Sequence, residues 1–194
     1  MERDQLEHVI RVASAITQET EFVIIGSQSI LGAFPDAPKS LLQSNELDIY
    51  PRVNWEKLSD LIDGSIGEGS PFNETYGYYA QGVDPHTAVL PVGWEGRLTR
   101  VATPATGGGV GYCIDVHDLA LSKYVADRPK DRMFNQELIR HGMVDLARLR
   151  KRVDLLPVGD ERKTLILSAI DRDEKVVADA CPPSGPIART RFKP

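Results

Sequence analysis

The stretch FVIIGSQSILGAFPDAPKSLLQSNELDIYP, residues 22–51, joins two apolar segments through a glycine and a long polar loop. The first segment is a short β-branched run that predicts a buried strand ending at Gly26. Ser27 follows and begins a short predicted helix. The second segment, NELDIYP, predicts another strand, in which Glu46 and Asp48 lie two residues apart. Because successive side chains of a strand point to opposite faces, these two carboxylates project together.

Two carboxylates on one face repel each other unless a cation neutralises them. Mg²⁺ is a hard cation that proteins hold with one or two carboxylates together with substrate phosphates. A glycine bend allows the chain to approach a phosphate closely, and a helix start supplies N–H donors. The two pairs, Glu46 with Asp48 and Gly26 with Ser27, therefore predict a site for a nucleoside triphosphate with Mg²⁺ or Mn²⁺. The alternative is a solvent-facing pair of acids and a plain strand-to-helix turn.

Composition narrows the functional classes. The chain has 194 residues and a net charge of −5, which suits one domain with a helical extension and argues against binding duplex DNA. Neither Cys113 nor Cys181 has a metal-binding spacing, and Cys113 is predicted to be a buried apolar side chain. No segment approaches the apolar run of about 18 residues that a membrane span needs, and the N-terminus does not resemble a signal peptide. We therefore predict a cytoplasmic protein without membrane contact.

The chain divides into two parts by its hydrophobic pattern. Residues 1–114 alternate helix, strand and loop patterns typical of an α/β core, and residues 64–111 predict strand pieces joined by long loops. Residues 115–181 predict four helices, with a break at the RPKD segment. The proline-rich, basic residues 182–194 are predicted to be a disordered tail. The expected fold is α/β (α+β), with a mixed sheet flanked by helices and a helical C-terminal part.

The order strand, Gly-Ser turn, short helix and strand with [D/E]-x-[D/E] resembles the signature of the nucleotidyltransferase superfamily. The segments IIGSQSILGAFPD, GYYAQGV, LPVGW and HDLALSKYVADRPKDRMF look like an uncharacterised bacterial family of this fold. That family is related to nucleotidyltransferase toxins of abortive-infection type toxin–antitoxin systems. The resemblance covers about residues 20–155, and it implies transfer of a nucleoside monophosphate from an NTP to an acceptor.

The resemblance also implies roles for individual residues. The Gly-Ser turn matches the phosphate-contacting turn, and the two acids of NELD match the metal-binding acids. Lys123 matches a lysine that reaches the triphosphate, and Asp131 matches a downstream catalytic acid of the toxin pattern. These two can share a site only if the chain turns at Pro129; otherwise Lys123 is an exposed helix lysine. Arg128 and Lys130 are candidate contacts to phosphate or RNA, with solvated side chains as the alternative.

Two departures from the superfamily pattern matter. The loop PDAPKSLLQ, residues 35–43, is longer than is usual there, so it must bulge away from the site or cover it. The third catalytic acid has no clear counterpart; Asp84 in QGVDPH is the candidate metal ligand, and a turn aspartate before proline is the alternative.

Two functional hypotheses follow from the resemblance. The first is a Mg²⁺-dependent nucleotidyltransferase, with RNA, particularly tRNA, favoured over a protein or small molecule as acceptor, acting as a toxin with an antitoxin partner. The second is a non-catalytic nucleotide-binding or partner-binding module on the same fold.

Overall fold

The computed structural model describes residues 1–180, and its strands form one mixed sheet. The strands are β1 (Glu21–Ile25), β2 (Glu46–Pro51), β3 (Tyr79–Gly82), β4 (Thr99–Val101) and β5 (Val110–Cys113). Their order in the sheet is β3-β2-β1-β5-β4. β1 is antiparallel to β2 and parallel to β5, while β2 is parallel to β3 and β4 is antiparallel to β5. The predicted α/β fold with a mixed sheet is confirmed.

Helices flank this sheet and follow it along the chain. In the described part they are α1 (Arg3–Thr17), α2 (Ile30–Ala33), α3 (Trp55–Ile66), α4 (Pro71–Tyr76), α5 (Val116–Ala126), α6 (Pro129–Arg140), α7 (Leu146–Val153) and α8 (Asp160–Ala180). The five strands all precede residue 114, and α5 to α8 follow them. None of these helices, within residues 1–180, combines the length and apolarity that crossing a membrane requires. Cys181 and the predicted tail, residues 182–194, lie outside the described residues.

The two faces of β2 have different environments, as its alternating sequence predicts. Leu47 and Ile49 are fully buried, and Ile49 pairs with the buried Ile24 of β1. Helix α3 covers this face so closely that a Cβ added at Gly82 of β3 would lie 1.9 Å from the backbone oxygen of Ser59. The polar residues of the ELD segment therefore lie on the opposite face of the sheet, where the helical part of the chain approaches.

Helix α4 corrects the expectation of strand pieces and loops over residues 64–111. The Ser70 hydroxyl accepts a hydrogen bond from the Asn73 N–H, Pro71 occupies the first helical position, and Gly77 ends the helix with a φ of 76°. These residues are typical start and stop signals of a helix. The sequence pattern missed them because a single turn and a half is too short to show helical periodicity.

The chain reverses direction between α5 and α6. The Asp115 side chain caps the start of α5 by accepting a hydrogen bond from the His117 N–H. Asp127 ends α5 in a left-handed conformation with a φ of 52°, and Pro129 begins α6. Helix α6 therefore packs back against α5, while α7 and α8 pack on this pair. This reversal brings Lys123 of α5 and Asp131 of α6 into contact.

Candidate active site

Gly26, at the end of β1, brings the backbone against the side chain of Asp48. Its φ of 68° and ψ of −171° define a conformation that only glycine adopts at low cost. A Cβ added at Gly26 would lie 1.8 Å from Oδ2 of Asp48, so a larger residue has no room. The Ser29 hydroxyl donates to the Gly26 carbonyl oxygen at 2.8 Å and holds the turn that follows. The glycine bend and the acidic strand therefore meet at one point.

Glu46 and Asp48 lie on the same face of β2, as the sequence predicts. Asp48 pairs with Ile25 across the antiparallel β1–β2 ladder, next to the glycine bend. Burial, followed by the proximity of the Glu46 carboxylate, raises the pKa of Asp48 to about 7. The Tyr79 hydroxyl donates to Oε2 of Glu46 at 3.1 Å and orients that carboxylate. The site thus holds two partly buried acids whose mutual repulsion a cation would relieve.

Lys123 of α5 lies behind the Gly-Ser turn. Its ammonium group donates to Oγ of Ser27 at 3.0 Å and to Oδ1 of Asp131 at 3.3 Å, and it lies 4.3 Å from the ring centre of Phe134. Only 7% of the residue is exposed. Burial lowers the pKa of Lys123, whereas the charge of Asp131 opposes that change. The structure therefore places a buried cation beside the turn, and Lys123 is not an exposed helix lysine.

Asp131 is fully buried at the start of α6, and its oxygens are occupied by basic groups. Besides Lys123, it accepts from Nε of Arg128 at 2.6 Å and from the Arg128 backbone N–H at 3.3 Å. Burial would raise the pKa of Asp131, yet the hydrogen bonds from Arg128 and the charge of Lys123 hold it below its usual range. Asp131 does not line the cleft described next. Its hydrogen bonds hold Lys123 and Arg128 in position, and its catalytic role stays a prediction.

An open cleft of about 850 Å³ connects these groups. Its polar lining includes Gly26, Ser27, Glu46, Asp48, Lys123 and Lys130, and its apolar lining includes Leu41, Val89, Met133 and Phe134. Arg128 lies at its edge with 59% of its side chain exposed, and Lys130 makes no ion pair within residues 1–180. Pockets of roughly 300 to 1,000 Å³ with a few polar groups among apolar side chains are typical small-molecule sites.

The long loop before β2 forms a wall of this cleft. Ser40, Leu41 and Gln43 contribute to its lining. The Ser40 hydroxyl donates to Oε2 of Glu137 on α6 at 2.7 Å, so the loop reaches across to the helical part. Of the two arrangements that the sequence left open, the structure shows the loop beside the site and not bulging away from it.

A protein-family model described as "Nucleotidyltransferase of unknown function (DUF6036)" matches residues 4–174. The chain belongs to this family. No match was found among the curated proteins or among the solved structures. Since the matched range runs from α1 into α8, it includes the sheet, the glycine bend and the buried lysine. Membership of a nucleotidyltransferase-like family is thereby established over residues 4–174, in agreement with the resemblance to the nucleotidyltransferase superfamily.

In this nucleotidyltransferase family member, the donor set suits a divalent cation. The carboxylates of Glu46 and Asp48 line the cleft beside the glycine bend, where phosphate oxygens could complete the coordination. No group of three or more His, Cys, Asp or Glu side chains suited to a metal occurs within residues 1–180. The two acids therefore fit a cation that is shared with a nucleotide, and they do not form an all-protein cage.

Asp84 does not join the acids in this member of the family. Its carboxylate accepts from the His86 N–H at 2.6 Å and pairs with the His86 ring at 2.7 Å. Half of its side chain is exposed, and it caps a short 3-10 turn whose Thr87 lines the cleft, although Asp84 itself does not. The alternative, a turn aspartate before proline, describes what the structure shows. The structure does not bring Asp84 into the cleft lining with Glu46 and Asp48, since the residue lies two positions beyond the end of β3.

The residue beside Asp48 on β3 is Gln81. The parallel β2–β3 register pairs Asp48 with Gln81 and Glu46 with Tyr79, and Gln81 lines the cleft. Sequence reasoning missed both β3 residues. The alternating pattern of GYYAQG was a usable signal for the strand, but nothing in the sequence specifies the register with β2.

Proposed function

We propose that this protein is a divalent-metal-dependent nucleotidyltransferase that moves a nucleoside monophosphate from an NTP onto an acceptor. One observation carries the proposal. Asp48 lies against the Gly26 bend while Lys123 bonds to Ser27, so acids, bend and buried cation occupy a single cleft. Membership of a family described as nucleotidyltransferases supports the reaction class.

The triphosphate is proposed to lie along the polar groups that line the cleft. Gly26 leaves room for a phosphate to approach the backbone, and the Ser27 hydroxyl and the Lys123 ammonium can donate to its oxygens. Arg128 and Lys130, both exposed at the mouth, add positive charge near the acids. The apolar side chains that line the cleft, including the exposed Met133, suit the face of a nucleobase.

In the proposed reaction an acceptor oxygen forms a bond to the α-phosphorus. The bond from that phosphorus to the oxygen bridging to the β-phosphorus breaks, its electron pair leaves with pyrophosphate, and the acceptor proton passes to solvent. Lys123 is proposed to neutralise charge that grows on the leaving pyrophosphate. When bound by Glu46 and Asp48, a divalent cation supplies Lewis-acid polarisation of phosphate oxygens. Positioning of the two substrates supplies much of the remaining rate gain.

The acceptor is proposed to be RNA, with tRNA favoured, and the protein a toxin that an antitoxin partner restrains. This part of the proposal rests on the resemblance to abortive-infection type toxins. The exposed guanidinium of Arg128 and ammonium of Lys130 support it, because cations at an open mouth can contact the phosphates of a single strand.

A non-catalytic nucleotide-binding module is the second candidate, and one observation favours it. The amide of Gln81 lies beside Asp48, where an acid would be able to accept the proton of an acceptor hydroxyl. An amide cannot accept that proton at neutral pH. Such a module would bind NTP and transfer nothing.

The two candidates differ in one assay. The purified protein is incubated with each α-³²P-labelled NTP, Mg²⁺ and total cellular RNA, alongside Asp48→Asn and the matched control Asp60→Asn, an exposed acid on α3. Label transfer that is lost in Asp48→Asn and kept in Asp60→Asn supports the enzyme. NTP binding by the wild type without transfer to RNA, protein or small molecules supports the module, and a protein that does neither contradicts both.

A further inference from the structure

Gln81 lies at a position from which β3 could add a third ligand to the acids of β2. The parallel ladder pairs Gln81 with Asp48 and Tyr79 with Glu46. Side chains of paired residues share a face of the sheet, and the 3.1 Å hydrogen bond from the Tyr79 hydroxyl to Glu46 shows which face this is. Since Gln81 is two residues after Tyr79, it points to the same side, where it lines the cleft and is exposed.

The charges around this position do not replace a third acid. Asp131 is turned away from the cleft and bonded to Lys123 and Arg128. Apart from Glu46, the charged groups that act on Asp48 include the ammonium groups of Lys123 and Lys130 and the guanidinium of Arg128, which are all cations. The carboxylate of Glu137 also lines the cleft, but it pairs with Arg140 and forms no metal-binding group with the two acids within residues 1–180.

We propose that Gln81 restricts this site to a single divalent cation. The inference rests on the metal-dependent function proposed above. Two-metal sites place their ions about 3.5 to 4 Å apart, so the repulsion between the ions must be offset by carboxylates that bridge or flank them. Two acids offset one divalent charge. The neutral amide of Gln81 can orient a ligand, but it adds no negative charge for a second ion.

Mn²⁺ binding to the full chain tests this proposal directly, without any reaction. The wild type, Gln81→Glu and the control Gln43→Glu are titrated with Mn²⁺ alone, and the bound ions are counted from the loss of the free-ion electron paramagnetic resonance signal. Gln43 is also exposed in the cleft lining but lies on the loop before β2, so its replacement adds the same charge at a position that does not pair with Asp48. Ions that also bind to Asp48→Asn are subtracted, and melting temperatures verify that each variant is folded.

We expect one site-specific ion in the wild type and in Gln43→Glu. In Gln81→Glu we expect a second ion, held at least about tenfold more tightly than any second ion in the wild type, because affinity follows the charge of the ligand set. Two tight ions in the wild type, no site-specific ion, or equal gains in both glutamate variants would each overturn the proposal. If the numbers of bound ions are as expected but no nucleotide transfer occurs, the one-ion site is supported and the proposed enzymatic function is refuted.

Discussion

Gly26 combines two residue-scale constraints that can be separated by mutation. Its backbone conformation costs a non-glycine residue about 1 to 3 kcal/mol, and a Cβ there would also displace the Asp48 carboxylate. Replacement of Gly26 therefore affects both the stability of the protein and the geometry of its site.

We predict that Gly26→Ala lowers the free energy of unfolding by about 3 to 5 kcal/mol, from backbone strain together with overpacking. In an Asp48→Ala background the cost falls to the strain alone, about 2 kcal/mol. Urea denaturation measures both values. Gly69→Ala is the control, because Gly69 has a similar φ of 72° with no atom within 4 Å of the added Cβ. Equal costs at Gly26 in the two backgrounds would show that the carboxylate does not occupy this space.

The buried pair of Lys123 and Asp131 provides a second residue-scale prediction. Asp131 is the charge partner of Lys123, and Lys123 is one of the two cations that pair with Asp131, so Lys123→Met and Asp131→Asn each destabilise the protein by about 2 to 4 kcal/mol. The double variant is less destabilised than the sum by about 1 to 3 kcal/mol. A double-mutant cycle measured in urea checks this coupling. Additive losses would mean that Arg128 alone satisfies Asp131.

At the scale of elements, the start of α5 depends on a charged cap. Burial alone would raise the pKa of Asp115, but hydrogen bonds from His117 and Arg152 hold it well below its usual range. Arg152 of α7 also pairs with the fully buried Asp118, whose other partner is Arg97 at 2.7 Å. This cluster connects α5 to α7 and to the turn before β4, and so fixes the helix that carries Lys123.

Asp115→Asn retains a good helix cap and removes only the charge. We predict a loss of about 1 to 2 kcal/mol at pH 7. Because the folded pKa lies below the unfolded one, the contribution of the carboxylate is fully present above about pH 4 to 5 and is lost as the pH falls through the folded pKa. The difference from wild type in urea denaturation therefore shrinks with acid. A difference that stays constant from pH 7 to pH 3 would contradict the ionic contribution.

Helices and strands could be predicted from the sequence where their hydrophobic patterns were long. The predicted helix in residues 4–16, the strands of FVII and ELDIYP, the helix over WEKLSDLIDGSI and the break at RPKD are confirmed. Helix α4 was missed because it is short, and Asp84 was assigned to the site because the end of β3 was unknown. In both cases the signal was local turn chemistry, which periodicity does not register.

At the scale of the whole molecule, the cleft lies between the sheet and the helical part of the chain. Its lining includes β2 and β3 on one side and α5 and α6 on the other, with the loop before β2 between them. A ligand in this cleft would contact both parts and bind only the folded chain, so binding would stabilise the entire unit.

We predict that an accepted NTP with Mg²⁺, each at about 100 times its dissociation constant, raises the free energy of unfolding by about 2.7 kcal/mol. Differential scanning fluorimetry with each NTP measures the corresponding rise in Tm. Chelation of the metal by EDTA should remove most of the rise, and Asp48→Asn should lack it while Asp60→Asn retains it. The same rise in Asp48→Asn would show that the acids do not hold the metal with the nucleotide.

The sequence by itself determined the alternation that exposes Glu46 and Asp48 on one face, the glycine at the end of β1 and the proline at which α6 begins. These are local properties, since strand periodicity and the conformations open to glycine and proline act within a few residues. Only the tertiary structure decided that Gln81 lies beside Asp48 and that Asp131 accepts a hydrogen bond from Lys123. Strand register and helix packing bring distant residues together through burial and shape, and no short segment of the sequence encodes these contacts.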